Sequence, residues 1–195
     1  GDKLKVYNAT DGMVDRTAGT VTTVPLSIDT QITTNLTISA PKDIFVSEDG
    51  TKMFYINTST LLEHALSIPY DITSCTQVGS LAFGAGSFTF SKDGLNLYYA
   101  PNAASTTIAH WVLSTSFVLG SAVAQTGFTT ASSLGTYGIS ISTDGTLVII
   151  NDDTLFRTYT LSTPFSLSSA TLTKSTTVSA SPKYRATSFS KDGDF

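Results

Sequence analysis

Short runs of alternating or continuous apolar residues recur along the chain, and none sustains the 3.6-residue apolar period of an amphipathic helix. Four runs share the same punctuation: FVSEDGTKMFYIN at 45–57, FTFSKDGLNLYYA at 88–100, ISISTDGTLVIIN at 139–151 and TSFSKDGDF at 187–195. In each, a β-rich stretch leads through Asp-Gly into further chain, which is β-rich in the three complete copies. Asp-Gly between two such stretches signals a hairpin, because glycine, and tolerably aspartate, accepts the positive φ of a tight turn. The predicted turn residues are therefore Asp49 and Gly50, Asp93 and Gly94, Asp144 and Gly145, and Asp192 and Gly193. The four glycines are 44, 51 and 48 residues apart, so the hairpin belongs to a repeating unit.

A second marker repeats in step. LSIPYDI begins at Leu66, LSTSFVL at Leu113 and LSTPFSL at Leu161, with a degenerate LSIDTQI at Leu26. Two residues before each leucine stand His64, Trp111, Tyr159 and Val24, which share a strand face with it and are predicted to line one buried layer. Four residues after it stand Tyr70, Phe117, Phe165 and Thr30, predicted to plug the following loop. Ser/Thr-rich runs such as ATLTKSTTVSA at 170–180 then suit a fourth strand. Four short antiparallel strands in a unit of about 48 residues is the signature of a β-propeller blade.

The expected fold is an all-β β-propeller in one domain, with blades near 187–195 plus 1–41, 42–86, 87–136 and 137–186. GDKLKVYN at 1–8 aligns with GTKMFYIN at 50–57, so the N-terminus would supply strands two to four of a blade whose first strand is the C-terminus. Residues 187–191 would then pair with the strand near 3–8 and close a four-bladed ring without bare edges. The alternative is an arc of a larger propeller.

The Ser-x-Asp-Gly turns combined with the Leu-Ser-Thr-Pro-aromatic element resemble the β-propeller repeats of bacterial surface proteins of the TolB-like and surface-layer types. They look closer still to propeller proteins of bacteriophages and marine metagenomes. The resemblance implies a propeller fold and display on a virion or cell surface. At the residue level it implies only a turn role for Asp49, Asp93, Asp144 and Asp192. The first unit departs from the pattern at Thr30 and carries an insertion, ATDGMVDRTAG.

Composition narrows the function classes. Ser and Thr make 59 of 195 residues, and only 13% are charged, with a formal net charge of −4. Such a chain offers no electrostatic footprint for nucleic acid or an anionic membrane surface. No run approaches the ~18 apolar residues that suggest a membrane-spanning helix. Cys75 stands alone, so no intrachain disulfide framework is possible.

The predicted first strands, which converge on a propeller's centre, offer Asp43 and small hydroxyls but no histidine. His64 falls at a packed blade position, and His110, on the opposite strand face, is expected to be exposed. Cys75 reads as a small apolar residue. The acidic loops around Asp11 and Asp15, and around Asn151, Asp152 and Asp153, do not match a calcium-loop pattern and read as solvated turns. No catalytic, cofactor-binding or metal residue is assigned. The expectation is an extracellular or virion-surface, non-catalytic structural or binding module that meets a protein partner or a cell-surface glycan, within a larger assembly. A lectin-like propeller is the alternative, and a propeller hydrolase or lactonase stands behind both.

Overall fold

A computed structural model describes residues 6–8, 12–17, 20–24, 42–101, 105–134, 138–151, 155–177 and 187–189. The chain divides into two compact units, Gly1–Leu36 and Thr37–Phe195. In the first, strands β1 (Val6–Asn8), β2 (Gly12–Thr17) and β3 (Thr20–Val24) form a three-stranded antiparallel sheet in chain order. The insertion read as an acidic loop thus contains a strand: Asp15 lies in β2, opposite Thr22 of β3. Asp11, Asp152, Asp153, Asp192 and Gly193 lie outside the described residues, as does the expected pairing of 187–191 with the N-terminal strand.

The described residues of the second unit form three four-stranded antiparallel blades. The first comprises β4 (Asp43–Val46), β5 (Lys52–Ile56), β6 (Thr60–Leu66) and β7 (Cys75–Ala82). The second comprises β8 (Gly86–Phe90), β9 (Asn96–Pro101), β10 (Ser105–Leu113) and β11 (Ala122–Leu134). The third comprises β12 (Gly138–Ile141), β13 (Leu147–Asn151), β14 (Leu155–Leu161) and β15 (Ala170–Thr177). In each, consecutive strands are neighbours, and the third strand ends at the predicted leucine.

Blades meet face to face, and this explains why the second strands read as continuous apolar runs. Along β5, Phe54 and Ile56 join Phe88, Phe90, Leu97 and Tyr99 of the next blade in one core. Along β9, Leu97 and Tyr99 face back into that core while Tyr98 and Ala100 face forward. The forward pair packs with Ile139, Val148, Ile150 and Tyr159 in a second core. A strand buried on both faces cannot alternate apolar with polar, whereas the outer strand β15 is exposed from Thr171 onward and is rich in Ser and Thr. Aromatic rings lock the first joint, with Phe54 and Phe90 centroids 4.6 Å apart and Phe45 and Phe90 5.2 Å apart. Trp111 is half-buried and packs on Phe83 at 4.8 Å, while His64 and Tyr159 are buried.

The turns have a shared hydrogen-bond design. Gly50, Gly94 and Gly145 have φ of 70°, 69° and 71°, and the preceding aspartates do not share the left-handed conformation. The serine two residues before each aspartate completes the turn. Ser47, Ser91 and Ser142 donate their hydroxyls to Asp49, Asp93 and Asp144 at 2.6, 2.5 and 2.6 Å. The same hydroxyl oxygens accept the backbone N–H of Lys52, Asn96 and Leu147, each at 2.9 Å. The aspartates also accept the N–H of Thr51, Leu95 and Thr146, each at 3.0 Å.

The loop aromatics cap these turns. Tyr70, Phe117 and Phe165 adopt φ of 63°, 56° and 63°, a conformation non-glycine residues visit at a cost. Their N–H groups donate to the carbonyls of Gly50, Gly94 and Gly145 at 2.9, 3.0 and 2.8 Å, and their rings lie over the glycines where a Cβ would sit. Glycine is thus required twice over, by its φ and by the ring above it.

Candidate functional site

The inner strands β4, β8 and β12 come together with residues 187–188 around a hollow of 260 Å³. Its polar lining is Asp43, Ser87, Thr89, Ser140, Thr187 and Ser188, with Phe45 and Phe88 supplying apolar wall. Asp43 is fixed by its neighbours: Oδ1 accepts the Ile44 N–H at 2.9 Å and Oδ2 accepts the Phe88 N–H of the next blade at 3.0 Å. Burial raises its pKa above the usual carboxylate value, and these amides and the Ser87 hydroxyl pull it back down. A carboxylate with neutral hydroxyls and aromatic wall can accept hydrogen bonds from a polyol and pack against its apolar face.

A second hollow of 240 Å³ opens at the turn end, lined by Glu48, Lys92, Thr143 and Phe189, and it shares Ser140 and Ser188 with the first. Lys92 Nζ lies 3.6 Å from Glu48 Oε2 across the first joint, both side chains well exposed, so the pair contributes little to stability.

Asp49 and Asp144 have lowered pKa values, caused first by the Ser47 and Ser142 hydroxyls and then by the Thr51 and Thr146 groups. Their carboxylates are taken up by the turns. Cys75 opens β7 and is partly buried. Asn151 is fully buried at the end of β13.

His64 is buried and stacked on Tyr55 at 5.3 Å, and its Nδ1 has no hydrogen-bond partner among the described residues. Desolvation lowers its pKa, against a smaller raising effect from Glu63. His110 corrects an expectation: it is 5% exposed and not a surface residue. It stacks on Tyr98 with centroids 4.8 Å apart, and its Nε2 is 3.0 Å from Asn96 Oδ1. Burial lowers its pKa to about 4. The strand face opposite Trp111 is the face toward the next blade, so both faces of β10 are covered.

Glu63, unremarked in the sequence, bridges the first joint. It is 2% exposed, accepts from Lys52 Nζ at 2.6 Å through Oε1, and accepts the Leu119 N–H of the next blade at 2.9 Å through Oε2. Gly79 makes room for it, since a Cβ there would meet Oε2 at 2.6 Å. A glutamate inside an apolar-polar strand run looks solvated in sequence, and only its donor, an amide 56 residues away, reveals the role. Among the described residues, no three His, Cys, Asp or Glu side chains cluster closely enough to hold a metal ion.

No protein-family model matches the chain. No curated protein matches its sequence. Among solved structures it is similar to a candidate 6-phosphogluconolactonase from Bacteroides uniformis, at 15% identity and TM-score 0.55 over 98% of this chain and 55% of that one. It is also similar to the hydrazine synthase of Kuenenia stuttgartiensis, at 15% identity and TM-score 0.54 over 82% of this chain and 41% of that one. Hsv2 of Kluyveromyces lactis aligns at 6% identity and TM-score 0.50 over 72% of this chain and 38% of that one. The chain thus spans 38% to 55% of the length of these solved chains. The likeness is one of fold, and it fits a run of β-propeller blades.

Proposed function

We propose that this chain is a non-catalytic binding module, displayed on a virion or bacterial cell surface, whose partner is a protein. The observation that supports the reading is the turn end of the blades. There the Ser-x-Asp-Gly turns and aromatic-capped loops are pinned by the same hydrogen bonds in each blade. They carry exposed apolar side chains: Ile68 is 57% exposed, Tyr70 63% and Leu95 37%. Exposed apolar groups on a scaffold that loses little entropy on association favour protein recognition. The hollow around Asp43 supports the second reading, a glycan site, because its hydroxyls and carboxylate match sugar hydroxyls.

Labelled protein incubated with intact bacteria and phage particles tests the proposal. Binding should fall after surface proteolysis, and in the variant combining Ile68→Asp with Leu95→Asp at unchanged melting temperature. Loss after periodate oxidation, with resistance to proteolysis, supports the glycan reading instead. Absence of binding to every cell and particle overturns both, and turnover on an ester and lactone panel overturns the non-catalytic part.

A further inference from the structure

The three inner strands begin alike, and one of them carries a charge that the others do without. Asp43, Ser87 and Gly138 each stand seven residues before a turn glycine. Their strand partners, Ile56, Ala100 and Asn151, each stand six residues after it, so the three positions are equivalent. A small neutral residue therefore suffices there for the repeat, and a blade does not need a carboxylate at that place to form.

Among the described residues, Asp43 is the one titratable group on the lining of the 260 Å³ hollow. Its oxygens hold the amides of Ile44 and Phe88 and the Ser87 hydroxyl, all neutral donors, and a carboxylate has acceptor room beyond these. The ion pairs among the described residues are Lys52–Glu63 and Lys92–Glu48, so none of these cations neutralises Asp43. Burial disfavours its charge, and no opposite charge there offsets the cost. Thr89 and Ser140, on the same lining, make no hydrogen bond through their hydroxyls among the described residues, and neither hydroxyl is sealed from solvent. Ile44 and Ser188 are exposed, so the hollow has an entrance.

We infer that this hollow binds an amino sugar, with the ligand's ammonium group against the Asp43 carboxylate and its hydroxyls on Thr89 and Ser140. The inference rests on the glycan reading of the hollow and narrows it to one class. An ammonium group supplies the opposite charge that the lining lacks. A neutral sugar leaves the carboxylate uncompensated, and a uronate brings a like charge beside it. The carbon face of the ring packs on the wall of Phe45 and Phe88. At 260 Å³ the room suits a single ring, being below the ~300 Å³ at which sites for drug-sized ligands begin.

Amide spectra of the intact chain at neutral pH test it, with glucosamine as the probe and N-acetylglucosamine, glucose and glucuronate as controls at matched salt. The Ile44 and Phe88 amides, which report on the carboxylate, should shift saturably with glucosamine. Its dissociation constant should be about tenfold or more below that of glucose, the worth of one charge-assisted hydrogen bond. N-acetylglucosamine and glucuronate should bind no better than glucose. Asp43→Ser, which installs the residue of the next blade, and Asp43→Asn should each bring glucosamine down to the level of glucose. Equal affinity for glucose and glucosamine overturns the inference and leaves the glycan reading standing. A glucosamine preference that survives both variants overturns it too, because the recognising charge then lies elsewhere. No saturable shift with any of the four sugars overturns the inference together with the glycan reading of the hollow.

Discussion

Gly94→Ala isolates the demand made by the capped turn. At φ 69° an alanine pays about 1–2 kcal/mol for the left-handed conformation. Its Cβ would also fall inside the ring of Phe117, so that ring must move. Phe117 is half-buried and packs against Phe45, Phe54 and Phe90 with centroids 5.9, 6.1 and 5.4 Å away. Complete loss of a core phenylalanine costs about 3–5 kcal/mol, and displacing a half-buried one forfeits roughly 1–2 kcal/mol of that. The total is about 2–4 kcal/mol, a fall in melting temperature of roughly 5–15 °C for a domain of this size. Gly120 is the control: a Cβ there meets nothing within 4 Å and its φ is not left-handed, so Gly120→Ala should be neutral or slightly stabilising. In a Phe117→Ala background the further cost of Gly94→Ala should shrink to the conformational part, about 1–2 kcal/mol. Thermal denaturation of the four variants measures this cycle. Equal midpoints for Gly94→Ala and Gly120→Ala, or strict additivity with Phe117→Ala, would refute the collision.

Glu63→Gln should destabilise by about 2–3 kcal/mol in chemical denaturation, since it uncouples Lys52 in a mostly buried pair, whereas an unchanged midpoint would mean the bridge contributes nothing. Ser142→Ala should cost about 1–2 kcal/mol, because it leaves the Leu147 N–H without its acceptor and Asp144 without a donor. His110, lowered to about 4 in the folded state, contributes stability that is complete above its unfolded pKa near 6.5. That stability drains away as the pH falls from about 6.5 toward 4, by up to about 3 kcal/mol, and His110→Gln should flatten this part of the pH–stability profile. Asp43 has the opposite sign: with its folded pKa raised by burial, its relative stability is greatest below the unfolded value and lost as the pH rises. Asp43→Asn should remove this fall with rising pH, while forfeiting at every pH the backbone hydrogen bond that its NH2 cannot accept.

What the sequence reveals is what repeats locally. The Asp-Gly spacing and the Leu-Ser strand ends locate the internal turns and the boundary between third and fourth strands, because turn conformation and strand periodicity depend on neighbours in the chain. The serine of the turn could have been read the same way, since it precedes each aspartate by two residues at Ser47, Ser91, Ser142 and Ser190. His110 could not. Its burial depends on a third blade covering the far face of β10, and an aromatic-polar alternation looks half-exposed until that blade is in place. Glu63 is equally silent, because its partner, the Leu119 amide, lies on the neighbouring blade. Asp15 was hidden for a different reason: an insertion breaks the repeat, and its strand has no copy with which to align.

Face-to-face packing of sequential blades is tested most directly by nuclear Overhauser contacts between aromatic rings. Phe54 of β5 and Phe90 of β8, whose centroids are 4.6 Å apart, should give strong cross-peaks across the first joint. Phe128 of β11 and Tyr159 of β14, also 4.6 Å apart, should do so across the second. Absence of both, with the second-strand aromatics contacting only residues of their own sheet, would contradict the propeller arrangement of these blades.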